Sequence, residues 1–411
     1  MKKLTLSEWE EKYIAGPVER FDQKYHMFNR PNWDPEVKRL LKDWSFTGEV
    51  KTETGYTLRD NALRQASQCG TQMALFNTSK PNPSPVSKAI MAAMAGSYSR
   101  GGSPQPANVP KQQRLVSTSP KQITHDIKKA ATYFGASLVG ICRLDQRWLY
   151  SHTYEMGRAG EARDSEAVIG ESKPQEIPEE FQYAVVMGFE EEYNLMKYFP
   201  TYISDTPMVM GYSRMAIASA CLSTFIRNLG FKVIDCSLNG VALSIPMAMQ
   251  AGLGDLGRNG LLITPQFGPR LRLEKVITDL PLVTDTPIDF GVTEFCMVCK
   301  KCADLCPSQA ITLGERTTEP NNASNAGGEL KWRINAEKCR IYWTQSNKSC
   351  TICRACCPYN KPNTRVHRTV WWFTDNVRWI DSFYVWADSL FGYGKPVKAD
   401  NFWEEWQPGQ H

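Results

Sequence analysis

Nine of the thirteen cysteines fall between residues 296 and 357, and their spacing is the most chemically explicit feature of the chain. The first run is Cys296-x2-Cys299-x2-Cys302-x3-Cys306-Pro307, and the second is Cys339-x10-Cys350-x2-Cys353-x3-Cys357-Pro358. Three thiolates within seven residues converge on one iron–sulfur cube, while the cysteine before proline turns away to serve a second cube. Reciprocal ligation therefore assigns Cys296, Cys299, Cys302 and Cys357 to one 4Fe-4S cluster and Cys306, Cys339, Cys350 and Cys353 to another. Cys356 competes with Cys357, but only Cys357 keeps the x3 interval and precedes proline. Structural zinc usually draws on two separated cysteine pairs, which this pattern is not. The remaining Cys69, Cys142, Cys221 and Cys236 are scattered and read as buried apolar thiols. Two neighbouring clusters imply electron transfer, without saying to what.

The elements that must hold these cysteines belong to a chain of 411 residues, long enough for two or three cores. A net charge of +5 with the signs well mixed offers no basic stripe for nucleic acid. No apolar run approaches a bilayer span, the longest being residues 89–95 and 241–251. A Pro-, Ser- and Gly-rich stretch over 77–121 marks a boundary, after which the pattern becomes α/β. Helices are expected over 123–133, from Thr206-Pro207 to Gly230 and over 245–250. Strands are expected over 136–142, 183–189, 231–235, 261–264 and 271–278. The final stretch holds six of the twelve tryptophans and is expected to pack back on the body.

Within this α/β region, Gly252-Leu253-Gly254-Asp255-Leu256-Gly257 formally matches a dinucleotide fingerprint but follows a helix-like stretch rather than a strand. As evidence for NAD it is weak, although such a turn lets backbone approach a large ligand closely. The stretch from Gly252 through Asn259, Gly260 and Leu261 to Pro265, together with Gly268-Pro269-Arg270-Leu271-Arg272, Thr278-Asp279-Leu280-Pro281-Leu282 and the doubled cysteine motif, resembles the corrinoid-dependent reductive dehalogenases, relatives of the epoxyqueuosine reductases. The resemblance covers residues 115–362, and within the family it leans to the respiratory chloroalkane, or chloroform-type, branch.

The resemblance implies a mixed α/β (α+β) fold: a nitroreductase-like cobalamin-binding core with an inserted or appended bacterial-ferredoxin-like domain carrying two 4Fe-4S clusters. The corresponding division is 1–114 covering the core and substrate channel, 115–289 binding cobalamin, 290–365 holding the clusters and 366–411 packing on the body. Gly252, Gly254, Gly257, Asn259, Gly260 and Leu261 are the expected cofactor contacts. Family cobalamin takes no protein histidine, and none of His26, His125, His152, His367 and His411 stands in a D-x-H-x-x-G context. Tyr212 matches the family's proton donor; read alone it would be a core tyrosine with a satisfied hydroxyl. Arg272 matches the cation that steadies the phenolate, with Arg270 as its rival on the same strand face. Asn239 matches a third position that orients the donor, and read alone its Asn-Gly pair is turn chemistry. Trp343, Tyr342, Trp44 and Phe46 are candidates to wall a pocket for a small chlorinated alkane or alkene.

The activity so implied is replacement of carbon-bound chlorine by hydrogen in organohalide respiration. The alternatives are an epoxyqueuosine reductase-like enzyme acting on tRNA and a non-catalytic two-cluster electron carrier. The family's precursors carry a twin-arginine signal, which does not stand in this sequence. A peripheral place at the outer face of the cytoplasmic membrane, a small membrane-anchor partner, a quinol-linked electron donor and a homodimer all follow from the resemblance alone.

Overall fold

The computed structural model describes residues 1–41, 51–67, 115, 119–155, 171–236, 240–346, 350–362 and 364–405. Its centre is a four-stranded antiparallel sheet in the order Leu138–Arg143, Tyr183–Glu190, Leu271–Thr278, Val233–Asp235. Tyr183–Glu190 is an almost unbroken apolar run because helices cover both faces of the sheet. Along it, Val185, Met187 and Phe189 face one core with Ile127, Met215, Leu222 and Ile226. Ala184 and Val186 face the other with Trp148, Met247 and Ala248. The alternation is the strand's period of two.

The first core is roofed by helices Pro120–Tyr133 and Tyr202–Asn228, and the second by Ser244–Gln250 and the N-terminal helix Leu6–Tyr13. Helix Leu6–Tyr13 is closed by a capping box between Thr5 and Glu8. Its Trp9 meets Trp148 edge-on, with ring centroids 6.2 Å apart.

Two expectations about the long helix are corrected. It begins at Tyr202, a turn before the expected Thr206-Pro207 start, so Pro207 lies inside it. Ser204, Asp205 and Thr206 are all cap-type residues, yet all three are buried here as helical positions. At 27 residues it is also long and apolar enough to cross a membrane by length and composition, contrary to the reading that no run approaches such a span. Met215, Ala218, Leu222 and Ile226 place it in the core of the domain instead.

Beyond the sheet, helices Val292–Cys299, Lys301–Asp304, Ala336–Ser346 and Ile352–Ala355 carry Cys296, Cys299, Cys302, Cys339 and Cys353. The long second interval of the motif is occupied by helix Ala336–Ser346. Helix Asp381–Leu390 is anchored by Asp388, which takes Lys301 at 2.6 Å and Lys361 at 2.5 Å. The expectation that the Trp-rich end packs inward holds only in part. Phe402 is buried and the Trp403 indole donates to Asp60 at 2.9 Å, whereas Trp372, Trp379 and Trp386 are exposed. Trp406 lies outside the described residues.

Candidate active site

The register Phe189↔Arg272 puts Arg272 at the end of the central strand, under the long helix. Its stem passes Gly211, where an added Cβ would stand 2.7 Å from Arg272 Cγ. Its guanidinium lies 4.5 Å from the centroid of the Tyr212 ring, and Nη1 donates to the Tyr212 hydroxyl at 3.1 Å. Tyr212 itself is half-buried at the edge of the first core. Tyr212 and Arg272, 60 positions apart in sequence, are thus brought together as expected.

The sequence reading missed what stands behind them. Glu191 has no exposure at all. It takes Arg272 Nε as an ion pair at 2.8 Å and accepts from Arg354 Nη1 at 2.8 and 2.7 Å. Burial, and then the charge of Arg354, push the Arg272 guanidinium below its ordinary pKa. For Arg354 burial pulls the same way, but Glu191, Cys353 and Tyr212 together outweigh it and the net direction is upward. The available signal was three successive glutamates, Glu190-Glu191-Glu192, closing an apolar strand, and an arginine inside the second cysteine motif.

Arg270, the rival cation, precedes the strand rather than sharing its face. It donates to Glu190 at 2.6 Å, to the Glu191 carbonyl at 2.8 Å and to the Lys361 carbonyl at 3.3 Å. Those partners make it a staple between the strand end and the cysteine segment, directed away from Tyr212.

The Gly-rich stretch forms a small hairpin, Asp255–Leu256 with Leu262–Ile263. Gly252 and Gly260 both have φ of 71°, which glycine adopts without strain. Gly254 lies against the Ile263 carbonyl, Gly257 against Asn259 and Gly260 against Ile334. The Leu261 carbonyl accepts from Gly257, and Asn259 donates to the Cys353 carbonyl at 3.2 Å. These residues therefore lie between the core and the cysteine segment, where Gly257 and Asn259 also line the cysteine cavity.

The structure places the cysteines of each assigned set near one another. Cys296, Cys299, Cys302 and Cys357 line one cavity together with Gly257, Asn259 and Pro358. The Cys357 thiol is pushed up by burial and then by Cys296 and Cys299. In the second set, burial raises Cys339 and Cys350 to about 12, and each also lies in the field of Cys353 and Cys306. Buried thiols of this kind ionise only when a cation compensates them, which is what cluster iron supplies. Among the described residues no group of three His, Cys, Asp or Glu side chains suits a single metal ion. Cys356 is buried but does not line the cavity, which favours Cys357.

On helix Ala336–Ser346, Trp343 packs edge-on to Phe28 at 6.2 Å and beside the Arg340 guanidinium at 5.5 Å. Tyr342 follows the helical rotation to a different side. Trp44, Phe46 and Asn239 lie outside the described residues.

Over 301 residues the chain is 39% identical to the tetrachloroethene reductive dehalogenase of Sulfurospirillum multivorans, covering 70% of this chain and 60% of that protein. The chain is related to the reductive dehalogenases. A second such relative, the tetrachloroethene reductive dehalogenase of Desulfitobacterium hafniense, is 36% identical over 319 residues, covering 69% of this chain and 56% of its own length. The chain thus spans less than two thirds of these curated relatives. A solved reductive dehalogenase, described as suggesting a mechanism for B12-dependent dehalogenation, shares the fold. Its TM-score is 0.68 at 23% identity, covering 98% of this chain and 50% of that one. No family model matches the chain.

Proposed function

We propose that this chain is an oxidoreductase that replaces a carbon-bound chlorine with hydrogen: R–Cl, two electrons and one proton give R–H and chloride. The observation that carries the reading is the half-buried Tyr212 hydroxyl held 3.1 Å from the largely enclosed Arg272 guanidinium, on a chain related to reductive dehalogenases. Tyr212 supplies the proton. A phenol is a reluctant acid at neutral pH, so the Arg272 charge is needed to stabilise the phenolate left behind.

The two cysteine sets would hold two 4Fe-4S clusters, which would supply electrons one at a time. A corrinoid, when bound, supplies the reduction of the carbon–chlorine bond. The hairpin residues Gly252, Gly254, Gly257, Asn259, Gly260 and Leu261 are the contacts this reading assigns to it. Trp343, whose indole N–H is buried with no hydrogen-bond partner, is the described candidate for the pocket wall. The substrate is a small chlorinated alkane or alkene, with chloroform as the type. Peripheral placement at the outer face of the cytoplasmic membrane, a small anchor protein and a quinol-linked donor complete the reading by analogy.

The test is turnover. Protein prepared without oxygen and supplied with a corrinoid and an artificial electron donor should release chloride from chloroform or tetrachloroethene. Iron without any dehalogenation under these conditions would leave an electron carrier. Reduction of an epoxyqueuosine-bearing tRNA instead would move the chain to tRNA modification.

A further inference from the structure

The segment carrying Cys350 and Cys353 is tied to the helix of Tyr212 in two places. Thr351 Oγ1 lies 3.2 Å from Ser204 Oγ in the first turn of that helix. Next to Cys353, Arg354 reaches back to Glu191, and Glu191 holds Arg272, whose other side holds Tyr212. An unbroken chain of contacts therefore runs from a cysteine assigned to the second cluster to the proton donor. We propose that Glu191 is the positioning residue for the Tyr212–Arg272 pair and that, by gripping Arg354, it couples the charge at Tyr212 to the redox state of the cluster that Cys353 helps hold. This inference rests on the function proposed above for Tyr212 and the cysteines.

The charges explain what such a link does. Arg272 and Arg354 carry two positive charges and Glu191 one negative; Glu191 and Arg354 are buried and Arg272 is largely enclosed, leaving one net positive charge in a region of reduced dielectric. An electron residing on the cluster and a negative charge on the Tyr212 oxygen draw on that same single charge. Each makes the other harder to hold. Loss of the tyrosine proton is therefore favoured once the electron has moved on towards substrate, which orders the two events. Without Glu191 the two guanidinia repel, and Arg272 loses the contact that fixes its Nε edge while its Nη1 faces the hydroxyl.

The experiment is an anaerobic redox titration of the cluster-loaded enzyme, followed by electron paramagnetic resonance, in parallel with steady-state kinetics. Glu191→Gln removes a negative charge and should raise the midpoint potential of one cluster. Arg354→Gln removes a positive charge and should lower that of the same cluster, with the other cluster unmoved. Both should depress kcat with little change in KM, because the proton is needed only in the transition state. Arg354→Lys keeps the charge and should keep the potential near that of the wild type. If Glu191→Gln fails to retain its clusters, the contrast between Arg354→Gln and Arg354→Lys decides. Shifts of the same sign, or none, or a lysine variant that shifts like the glutamine one, would overturn the link while leaving the enzyme reading intact. Wild-type protein without cluster signals would overturn the enzyme reading, and this inference with it.

Discussion

Gly211→Ala tests the active-site geometry without touching a polar group. Glycine inside a helix costs about 1 kcal/mol relative to alanine, so the substitution should by itself stabilise helix Tyr202–Asn228. The new methyl, however, would stand 2.7 Å from Arg272 Cγ, whereas ordinary carbon contacts begin near ~3.5 Å. Arg272 must give way by about 0.8 Å at its stem, where the chain is least free to swing. A displacement of that size would stretch the 3.1 Å bond to Tyr212 beyond hydrogen-bonding range. An off-rotamer side chain costs about 0.5–1.5 kcal/mol, which roughly offsets the gain in helix propensity.

Stability should therefore change by less than about 1 kcal/mol. Turnover should fall much further, since a hydrogen bond to a charged group is worth about 1.5–3 kcal/mol, or roughly 10- to 150-fold in rate. The assays are thermal unfolding of the cluster-loaded protein and chloride release under saturating substrate. An alanine variant with wild-type kcat would refute the reasoning, showing either that the Arg272 stem moves freely or that its contact with Tyr212 does no chemical work.

Three further outcomes follow from the same geometry. Tyr212→Phe should keep its clusters and fold but lose most turnover, measured as chloride release per iron; near-normal activity would remove Tyr212 as proton donor. Cys357→Ser should lose about half the iron by losing one of two clusters, whereas Cys356→Ser should keep its full iron content; the reverse result would reassign the ligand. Asp255, fully enclosed beside Tyr13 and Lys12, has its carboxyl pushed up from the ordinary 3.8 to about 6, chiefly by burial. The folded state thus holds this proton more tightly than the unfolded chain. Its contribution to stability is complete below pH 3.8 and is lost as pH rises to about 6. Between pH 5 and 7 that loss is about 1 kcal/mol, so unfolding midpoints should fall across this range and fall less in Asp255→Asn. Equal slopes in both proteins would contradict it.

How far these features were legible in the sequence depended on whether their cause was local. Strand Leu271–Thr278 was read with its observed bounds, because Leu271, Leu273, Val276 and Ile277 stand in a short stretch closed off by Pro269 and Pro281. The cysteine sets were legible because covalent spacing dictates which thiols can reach one cube. The helix start was misread because Thr201 and Thr206 are equivalent as caps, and only burial of Ser204 and Asp205 decides between them. Tyr212 and Arg272 were found through resemblance, not periodicity. Glu191 was not found at all, since its meaning lies in partners 81 and 163 positions away. The exposed faces of Trp372, Trp379 and Trp386 are equally a tertiary fact, as amphipathic spacing does not say which helix finds a partner.

Arg270 and Arg272 show how two like residues at one strand end divide the work. Arg270 is almost wholly buried, yet its guanidinium finds a carboxylate and two carbonyls, so the desolvation it suffers is repaid by hydrogen bonds in place. Arg272 is enclosed with a shared carboxylate and a neutral phenol, opposite a second guanidinium. Taking several charges out of water costs several kcal/mol per ion, and an apolar cluster of equal volume would serve stability at least as well. The difference lies in the Tyr212 oxygen. When that atom gains negative charge, the second arrangement becomes balanced, and the first would not change. On the proposed function, a site that is least satisfied in its resting state and best satisfied when the tyrosine is anionic would stabilise the transition state rather than the fold.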